Sequence, residues 1–352
     1  MKKHYPLILM ILLTHIILFP GCNKELADPG SYSLTCYGAT YGEGIYKSTN
    51  GGESWHPLDT NNEDIHAYFK RLYLGPGGNL LYMATSGAGL YVINPATESV
   101  DKPGMVMEED ITSISFQEIS AVQQGPANIF LGMRGKGVLE GNENLDDWNE
   151  YNKGLIYHDV NTLIFHDGSL FAGTVNGLFE RDRPSSEWRL ISSGIKNTNI
   201  ISLGMGPQGR LFYAGSGAYN GIKGRFEKIP CLYKSIDHGR NWIQSDTGLP
   251  DGTLVYKITV NPGNPERIYI GTSDGVYLSV DEGLTWNKQE TLPDGFKAYD
   301  IRIERMKDGQ DVVYAAGSHG IFMTTDKEET GWKSKNYSLP RTAITSIIIA
   351  ES

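Results

Sequence analysis

The sequence predicts an all-β fold, a seven-bladed β-propeller made of four-stranded blades. Two observations lead to this prediction: a short polar hairpin ending in Trp recurs along the chain, and a glycine-led strand precedes most copies. Self-similarity with a period of roughly 40–50 residues is typical of propellers and other closed arrays. A third observation, the pattern of the two chain ends, indicates how the ring closes.

The repeat period comes from the Trp residues. Clear hairpins end at Trp55, Trp242 and Trp286, a degraded copy ends at Trp332, and a weaker one ends at Trp148. From Trp148 onward, successive Trp residues lie 40 to 54 positions apart, whereas 93 positions separate Trp55 from Trp148. The longer interval indicates two units, one of which has lost its Trp.

The hairpin residues are predicted to build the scaffold. In the turn between the third and fourth strands, Asp or Asn accepts hydrogen bonds from the turn's own N–H groups, and Gly supplies positive φ. The Trp buries a large apolar face against the neighbouring blade. The residues assigned this structural role are Asn50, Trp55, Asp237, Trp242, Asp281, Trp286, Asp326 and Trp332.

The strands of one blade are clearest in the sixth unit. β-rich runs separated by turn residues predict strands at Leu254–Val260, Arg267–Thr272, Gly275–Ser279 and Thr285–Gln289. The first unit instead begins at its second strand, Ser33–Ala39, and the chain ends on an inner-strand pattern, Thr342–Ile349. We expect this last strand to complete the first blade, because that closure leaves no exposed sheet edge.

Composition and charge narrow the class of protein. The chain of 352 residues contains 42 Gly and 20 Tyr, as expected of a turn-rich β protein, and the repeat predicts one domain over residues 33–352. The net charge of −10 and the lack of a basic stripe in the sequence argue against a nucleic-acid partner. Cys36 and Cys231 fall in the first and fifth blades, too far apart for a disulfide, so we expect two free, partly buried thiols.

The N-terminus resembles a bacterial lipoprotein signal. Lys2 and Lys3 precede an apolar stretch at 7–19 that is too short to span a bilayer, and the segment Leu18–Cys22, which resembles the lipoprotein signal box, overlaps its end. We expect a signal peptide at 1–21, lipidation of Cys22 and a tether over 22–32. The domain would then be anchored by lipid to a membrane of the bacterial cell envelope, on the periplasmic or the cell-surface side of the outer membrane.

The hairpin pattern Ser-x-Asp-x-Gly-x-Thr-Trp resembles the bacterial neuraminidase repeat, or Asp-box, family of propellers. That family includes sialidases, xyloglucanases, sortilin-type receptors and photosystem II assembly factors, and its box lies on the blade periphery, away from the ligand face. Sialidases also carry an Arg-Ile-Pro motif, whereas the nearest string here, Phe226–Pro230, lacks the Arg. The xyloglucanases use two facing propellers, and this chain supplies one. The resemblance therefore implies the fold and leaves both activities weakly supported.

Ligand-binding residues are expected on one face, around the central channel. Loops entering the inner strands and loops between second and third strands gather there, and their polar residues are mixed in charge and rich in Tyr, which suits a sugar or a peptide. The candidates are Tyr41, Glu43, His66, Tyr68, Arg134, His158, Asp159, Tyr256, Asp274, Tyr299, Asp300, His319 and Arg341. An insertion, Gly217–Pro230, lengthens one of these loops in the fifth blade and is either functional or a tolerated surface hairpin.

These observations favour a non-catalytic binding or assembly module for a protein or glycan ligand, with no cofactor and no metal. The alternative is a glycan-active enzyme on the channel face. A carboxylate pair drawn from Glu43, Asp159, Asp274 and Asp300 could serve a glycoside hydrolase, and His158 with Tyr256 could serve a polysaccharide lyase. No residue is assigned a catalytic role.

Overall fold

Seven antiparallel sheets of four strands form the described part of the chain. The computed structural model describes residues 34–58, 68–75, 78–86, 89–101, 119–124, 128–142, 144–182, 187–218, 229–326 and 331–351. The predicted signal peptide, Cys22, the tether, His66 and residues 219–228 of the insertion lie outside these ranges. The seven-bladed propeller predicted from the Trp period is confirmed.

The first four blades take up the N-terminal half of the chain. Blade 1 contains β1 (Leu34–Thr40), β2 (Ile45–Ser48) and β3 (His56–Pro57). Blade 2 contains β4 (Tyr68–Leu74), β5 (Leu81–Ser86), β6 (Leu90–Ile93) and β7 (Val100–Asp101). Blade 3 contains β8 (Ile119–Gln124), β9 (Asn128–Met133), β10 (Gly137–Asn142) and β11 (Trp148–Glu150). Blade 4 contains β12 (Val160–His166), β13 (Ser169–Thr174), β14 (Gly177–Arg181) and β15 (Arg189–Leu190).

The remaining blades follow the same order. Blade 5 contains β16 (Ile200–Met205), a short 3₁₀ turn (Pro207–Gly209), β17 (Phe212–Ser216), β18 (Leu232–Ser235) and β19 (Ile243–Gln244). Blade 6 contains β20 (Val255–Val260), β21 (Ile268–Thr272), β22 (Gly275–Ser279) and β23 (Asn287–Lys288). Blade 7 contains β24 (Ala298–Arg305), β25 (Asp311–Gly317), β26 (Gly320–Thr325) and β27 (Lys333–Ser334), and the chain ends on β28 (Ile344–Glu351).

Strand β28 closes the ring. It pairs antiparallel with β1, with Gly38 opposite Ile347, and the sheet order is β28-β1-β2-β3. The first blade thus joins the two ends of the described chain, as expected. Because the inner edge of β1 is covered by β28, it offers no unpaired N–H or C=O row to another molecule.

The hydrophobic core is divided among the blade interfaces. Each of seven buried clusters combines residues from two neighbouring blades. Trp286 of blade 6 joins Tyr213 and Leu232 of blade 5, and Trp55 of blade 1 joins Tyr314 of blade 7. Each hairpin Trp therefore seals its blade to the preceding one, and Trp55 does so across the ring closure.

A bulge recurs at one level of the inner strands. In every blade one inner-strand residue has no partner in the ladder: Thr345, Lys70, Ser120, Asn161, Ile201, Tyr256 and Tyr299. The next inner-strand residue always pairs with a Gly or Ala of the second strand. A Cβ on Gly271 would lie 2.7 Å from the Ala298 carbonyl oxygen of the next blade. The small residues thus let neighbouring inner strands approach closely around the channel.

The two described cysteines, Cys36 in blade 1 and Cys231 in blade 5, are both buried, and neither forms a disulfide. Burial raises the pKa of the Cys36 thiol to about 12, with the Glu304 charge acting in the same direction. A thiol with this pKa stays protonated and unreactive at neutral pH. Across the described ranges, no helix has the length and apolar character needed to span a bilayer.

Candidate functional site

The hairpins of the rim are held by their own side chains. In blade 6, Asp281 Oδ1 accepts hydrogen bonds from Ser279 Oγ (2.7 Å) and from the Thr285 N–H (2.9 Å), while Gly283 N donates to Ser279 Oγ (2.7 Å). Glu282 and Gly283 both have positive φ, at 55° and 81°. Asn50 and Asp237 make the equivalent bonds in blades 1 and 5. These carboxylates and amides are occupied by the turn itself.

Asp326 of the degraded copy is bonded differently. Its carboxylate accepts hydrogen bonds from Arg267 Nε (2.7 Å) and Asn261 Nδ2 (3.0 Å), and from the Tyr269 hydroxyl. All three donors belong to blade 6, so Asp326 ties two blades together where Asp281 stabilises one turn. The role is still structural, but it is an inter-blade contact that the hairpin pattern does not predict.

The loop face carries about half of the predicted ligand-binding residues. Exposed side chains there are Tyr41, Glu43, Arg134, His158, His319 and Arg341, and Asp159 is half-buried. Backbone bonds join neighbouring loops: Gly137 N donates to the His158 carbonyl (2.8 Å) and Tyr41 N to the Ala343 carbonyl (2.9 Å). These bonds join the Arg134–Gly137 loop of blade 3 to the entry of blade 4, and the Tyr41 loop of blade 1 to the entry of β28. Tyr68 lies in β4, on the inner wall.

Asp274 is engaged within its own blade. Its Oδ2 accepts hydrogen bonds from the Tyr277 hydroxyl (2.6 Å) and from Lys288 Nζ (2.9 Å). Burial alone would raise the pKa of this carboxyl, but the bonds from Tyr277 and Lys288 outweigh it and lower the pKa below its ordinary value. A general acid in glycoside hydrolysis needs a raised pKa, so Asp274 is poorly suited to that role.

Tyr256 and Tyr299 lie in the bulges of two adjacent inner strands. Their ring centroids are 5.5 Å apart, and burial raises the pKa of Tyr256, with Tyr299 acting in the same direction. The Arg71 guanidinium reaches across the channel from blade 2 and donates to both backbone carbonyls, at 3.0 Å to Tyr256 and 3.2 Å to Tyr299. This side chain thus joins the inner strands of blades 2, 6 and 7 at the level of the bulges.

Asp300 is fully buried in the wall of the channel. Its Oδ2 accepts hydrogen bonds from Ser346 Oγ (2.7 Å) and Ile347 N (3.1 Å), and its Oδ1 from Ile301 N (3.0 Å). Burial opposes ionisation, but the charges of Arg302, Lys257 and Arg71 lower the pKa of Asp300 to about 2. This carboxylate therefore anchors the closing strand β28 to blade 7.

Two of these cations, Lys257 and Arg302, lie within ion-pair distance of the Asp300 carboxylate. Lys257 Nζ lies 3.6 Å from Asp300 Oδ1, and Arg302 NH2 lies 3.6 Å from Asp300 Oδ2. Burial and the charge of Arg302 lower the pKa of Lys257 to about 8. We refer to Arg71, Lys257, Asp300 and Arg302 as the channel cluster.

The sequence predictions included only Asp300 from this cluster. A signal was nevertheless present, because alignment of the repeats places Arg71, Lys257 and Asp300 at the same position, directly after the bulged residue. Arg, Lys and Asp side chains are rarely buried in a protein unless they are paired. Their shared level would have predicted a cluster.

A small cavity of about 250 Å³ lies at the base of the insertion, between blades 5 and 6. Asn197, Gly217, Cys231 and Thr253 are among its lining residues. Beside it, the buried Asp246 accepts hydrogen bonds from Cys231 N (3.2 Å) and Gln244 Nε2 (2.6 Å). In the described ranges no group of His, Cys, Asp or Glu is arranged to hold a metal ion.

Comparison with known sequences gives one short similarity. No known protein-family profile matches this sequence. Xyloglucanase Xgh74A from Acetivibrio thermocellus is 27% identical over 92 residues, which are 24% of this chain and 11% of that enzyme. The chain thus spans a small part of the curated relative that it matches.

Comparison with solved structures gives propellers that match most of the chain. The extracellular domain of the hybrid two-component system BT4673 from B. thetaiotaomicron has a TM-score of 0.62 and 14% identity, over 83% of this chain and 38% of that one. YCF48 bound to D1 peptide has a TM-score of 0.58 and 13% identity, over 82% of this chain and 88% of that one. A chain of the mitotic checkpoint complex has a TM-score of 0.59 and 12% identity, over 96% and 98%. At these identities the likeness establishes the shared fold, a β-propeller.

Proposed function

We propose that this chain is a non-catalytic binding or assembly module that receives a protein ligand on its loop face. One observation carries the proposal. Two of the candidate carboxylates, Asp274 and Asp300, have pKa values below the ordinary value, and both already accept hydrogen bonds from the scaffold. A hydrolase needs one carboxyl held protonated beside one that is free to act. The exposed Tyr, His and Arg side chains of the loop face suit contact with a partner instead.

The structural neighbours support a protein partner over a glycan. YCF48 was solved with the D1 peptide, and another neighbour belongs to the mitotic checkpoint complex. The rim hairpins resemble the Asp-box family, which includes assembly factors and receptors. Loops that are held by a rigid scaffold are a common location for such recognition.

We further propose that the domain is held outside the cytoplasm by a lipid on Cys22. The support is the sequence of the first 22 residues together with the extracellular domain of BT4673 among the neighbours. Cys22→Ala should move the protein from the membrane fraction to the soluble fraction of the cell. Mass spectrometry of the mature N-terminus should detect acyl chains on Cys22, and an unmodified N-terminus would contradict the anchor.

Photo-crosslinking tests the binding face. A photo-reactive amino acid is placed singly at Tyr41 or His319 on the loop face, and at Val280 on the rim, where the side chain is 49% exposed. Irradiation of intact cells should give one shared protein adduct from the two loop-face positions and none from Val280. The proposal fails if the same adduct forms only from the rim.

The second candidate is a glycan-active enzyme, and the 92-residue similarity to a xyloglucanase favours testing it. The purified domain is incubated with xyloglucan and a panel of other polysaccharides, and reducing ends and unsaturated products are measured. We expect no cleavage. Cleavage that is lost in Asp159→Asn would replace the binding proposal with a hydrolase that uses the loop face.

A further inference from the structure

The channel cluster has more positive charge than its carboxylate can balance. Among the residues that the structure describes, three cationic side chains, Arg71, Lys257 and Arg302, act on the one carboxylate of Asp300. The Arg71 guanidinium donates hydrogen bonds to the backbone carbonyls of Tyr256 and Tyr299. The chain as a whole has a net charge of −10, so this concentration of cations is not a general property of the molecule.

Asp300 forms only long ion pairs with the two remaining cations, Lys257 and Arg302. Its oxygens accept three hydrogen bonds from neutral donors: Ser346 Oγ, Ile347 N and Ile301 N. Lys257 Nζ and Arg302 NH2 therefore stay at 3.6 Å, which is beyond a normal charge-assisted hydrogen bond. Arg302 Nε donates to the Ile347 carbonyl (2.9 Å), which fixes the guanidinium against β28.

Solvent reaches both cations. The side chains of Lys257 and Arg302 are 24% and 31% exposed, although protein surrounds them on the channel wall. A cation in such a confined, low-dielectric setting attracts an anion more strongly than a surface lysine does. The Tyr256–Tyr299 ring pair comes from the residues that directly precede Lys257 and Asp300 in the same two strands.

We propose that Lys257 and Arg302 form an oxyanion site in the central channel, for a carboxylate or a phosphate group. A carboxylate has two oxygens in a plane and a phosphate has several in a tetrahedron. Either group can accept hydrogen bonds from a guanidinium and an ammonium at the same time. The site is independent of the proposed protein ligand, because it concerns a small anion inside the ring rather than a partner on the loops.

Isothermal titration calorimetry tests the site with citrate in one arm and inorganic phosphate in the other, at an ionic strength held constant with sodium chloride. We expect saturable binding of one or both anions, weakened at least tenfold in Lys257→Met and in Arg302→Met. Lys333→Met is the matched control, since Lys333 is an exposed lysine on an outer strand. The anion affinity of this variant should equal that of the wild type. The stronger arm assigns the ligand class.

Wild-type protein supplies a second measurement if the channel variants do not fold. Lys257 faces Asp300 and Arg302 on β24 and Arg71 on β4, and with a pKa of about 8 it loses its charge between pH 7 and 9. Affinity should therefore fall as the pH rises from 7 to 9. Absence of binding beyond that of chloride, or binding unchanged in Lys257→Met, would overturn the proposal.

Discussion

The rim and the channel of this propeller use carboxylates in opposite ways. On the rim, Asp281 takes its hydrogen bonds from Ser279 and Thr285, which lie two and four positions away in the chain. In the channel, Asp300 takes bonds from Ser346 and Ile347, which lie 46 and 47 positions away, across the ring closure. The rim arrangement recurs in blades 1, 5 and 6, whereas the channel cluster joins blades 2, 6, 7 and 1 once.

The difference separates scaffold from candidate site. A local network needs only a short sequence pattern and the correct turn, so it can be copied in each repeat. A long-range network needs several blades in place, and each blade contributes a different residue. We therefore expect rim changes to act on stability alone, and channel changes to act on both stability and anion binding.

The largest effect is expected on the rim, from Trp286→Ala. Trp286 is buried between blades 5 and 6, and its Nε1 donates to the Ser245 carbonyl (2.6 Å). Loss of this packing should lower the free energy of unfolding by about 4 kcal/mol. Urea unfolding measures the change, and Leu284→Ala on the same hairpin, where the side chain is 63% exposed, is the control. Equal costs for the two variants would refute the sealing role of Trp286.

In the channel, Asp300→Asn should destabilise the protein nearly as much as Trp286→Ala does on the rim. The change leaves Arg71, Lys257 and Arg302 without their shared negative charge, while Ser346 can still donate to the amide oxygen. We expect a loss of about 3 kcal/mol in unfolding free energy. The same variant should bind citrate or phosphate more tightly than the wild type, an outcome that a purely structural role for the cluster does not produce.

The stability of the protein in acid should depend on the ionisation of the same carboxylate, Asp300. Asp300 titrates at about 2 in the folded protein, below its ordinary value of 3.8. Its ionised form therefore stabilises the fold fully above about pH 5, and this contribution of about 2 kcal/mol is lost as the pH falls through 3.8 toward 2. The difference between wild type and Asp300→Asn should shrink over this range in acid-unfolding measurements. A constant difference would show that another group is responsible.

The smallest effect is expected from Asp281→Ala on the rim. The variant removes bonds to Ser279 and Thr285, but the turn remains open to water, which replaces them. We expect a loss of about 1 kcal/mol. Thermal unfolding compared with Glu290→Ala, an exposed residue of the same blade, provides the measurement. A loss as large as that of Trp286→Ala would mean that the turn has a wider role than its local bonds indicate.

Much of the fold could be predicted from the residues, and less of the candidate site. The blade count followed from the spacing of Trp55, Trp148 and the later Trp residues, and the closing strand from an unpaired inner-strand pattern at the C-terminus. The predicted site positions on the loop face remain predictions. Asp300 was predicted as a ligand contact, and the structure places it in β24, directly after the bulged Tyr299, with its side chain buried.

The sequence by itself determined the all-β class, the number of blades and the chemistry of the rim turns. These depend on residues a few positions apart, so the period and the turn residues contain them. Only the tertiary structure decided which inner-strand charges meet. Arg71 contacts residues 185 and 228 positions away, and Asp300 contacts the closing strand, because a ring brings its first and last blades together. The channel cluster exists only once that ring is closed.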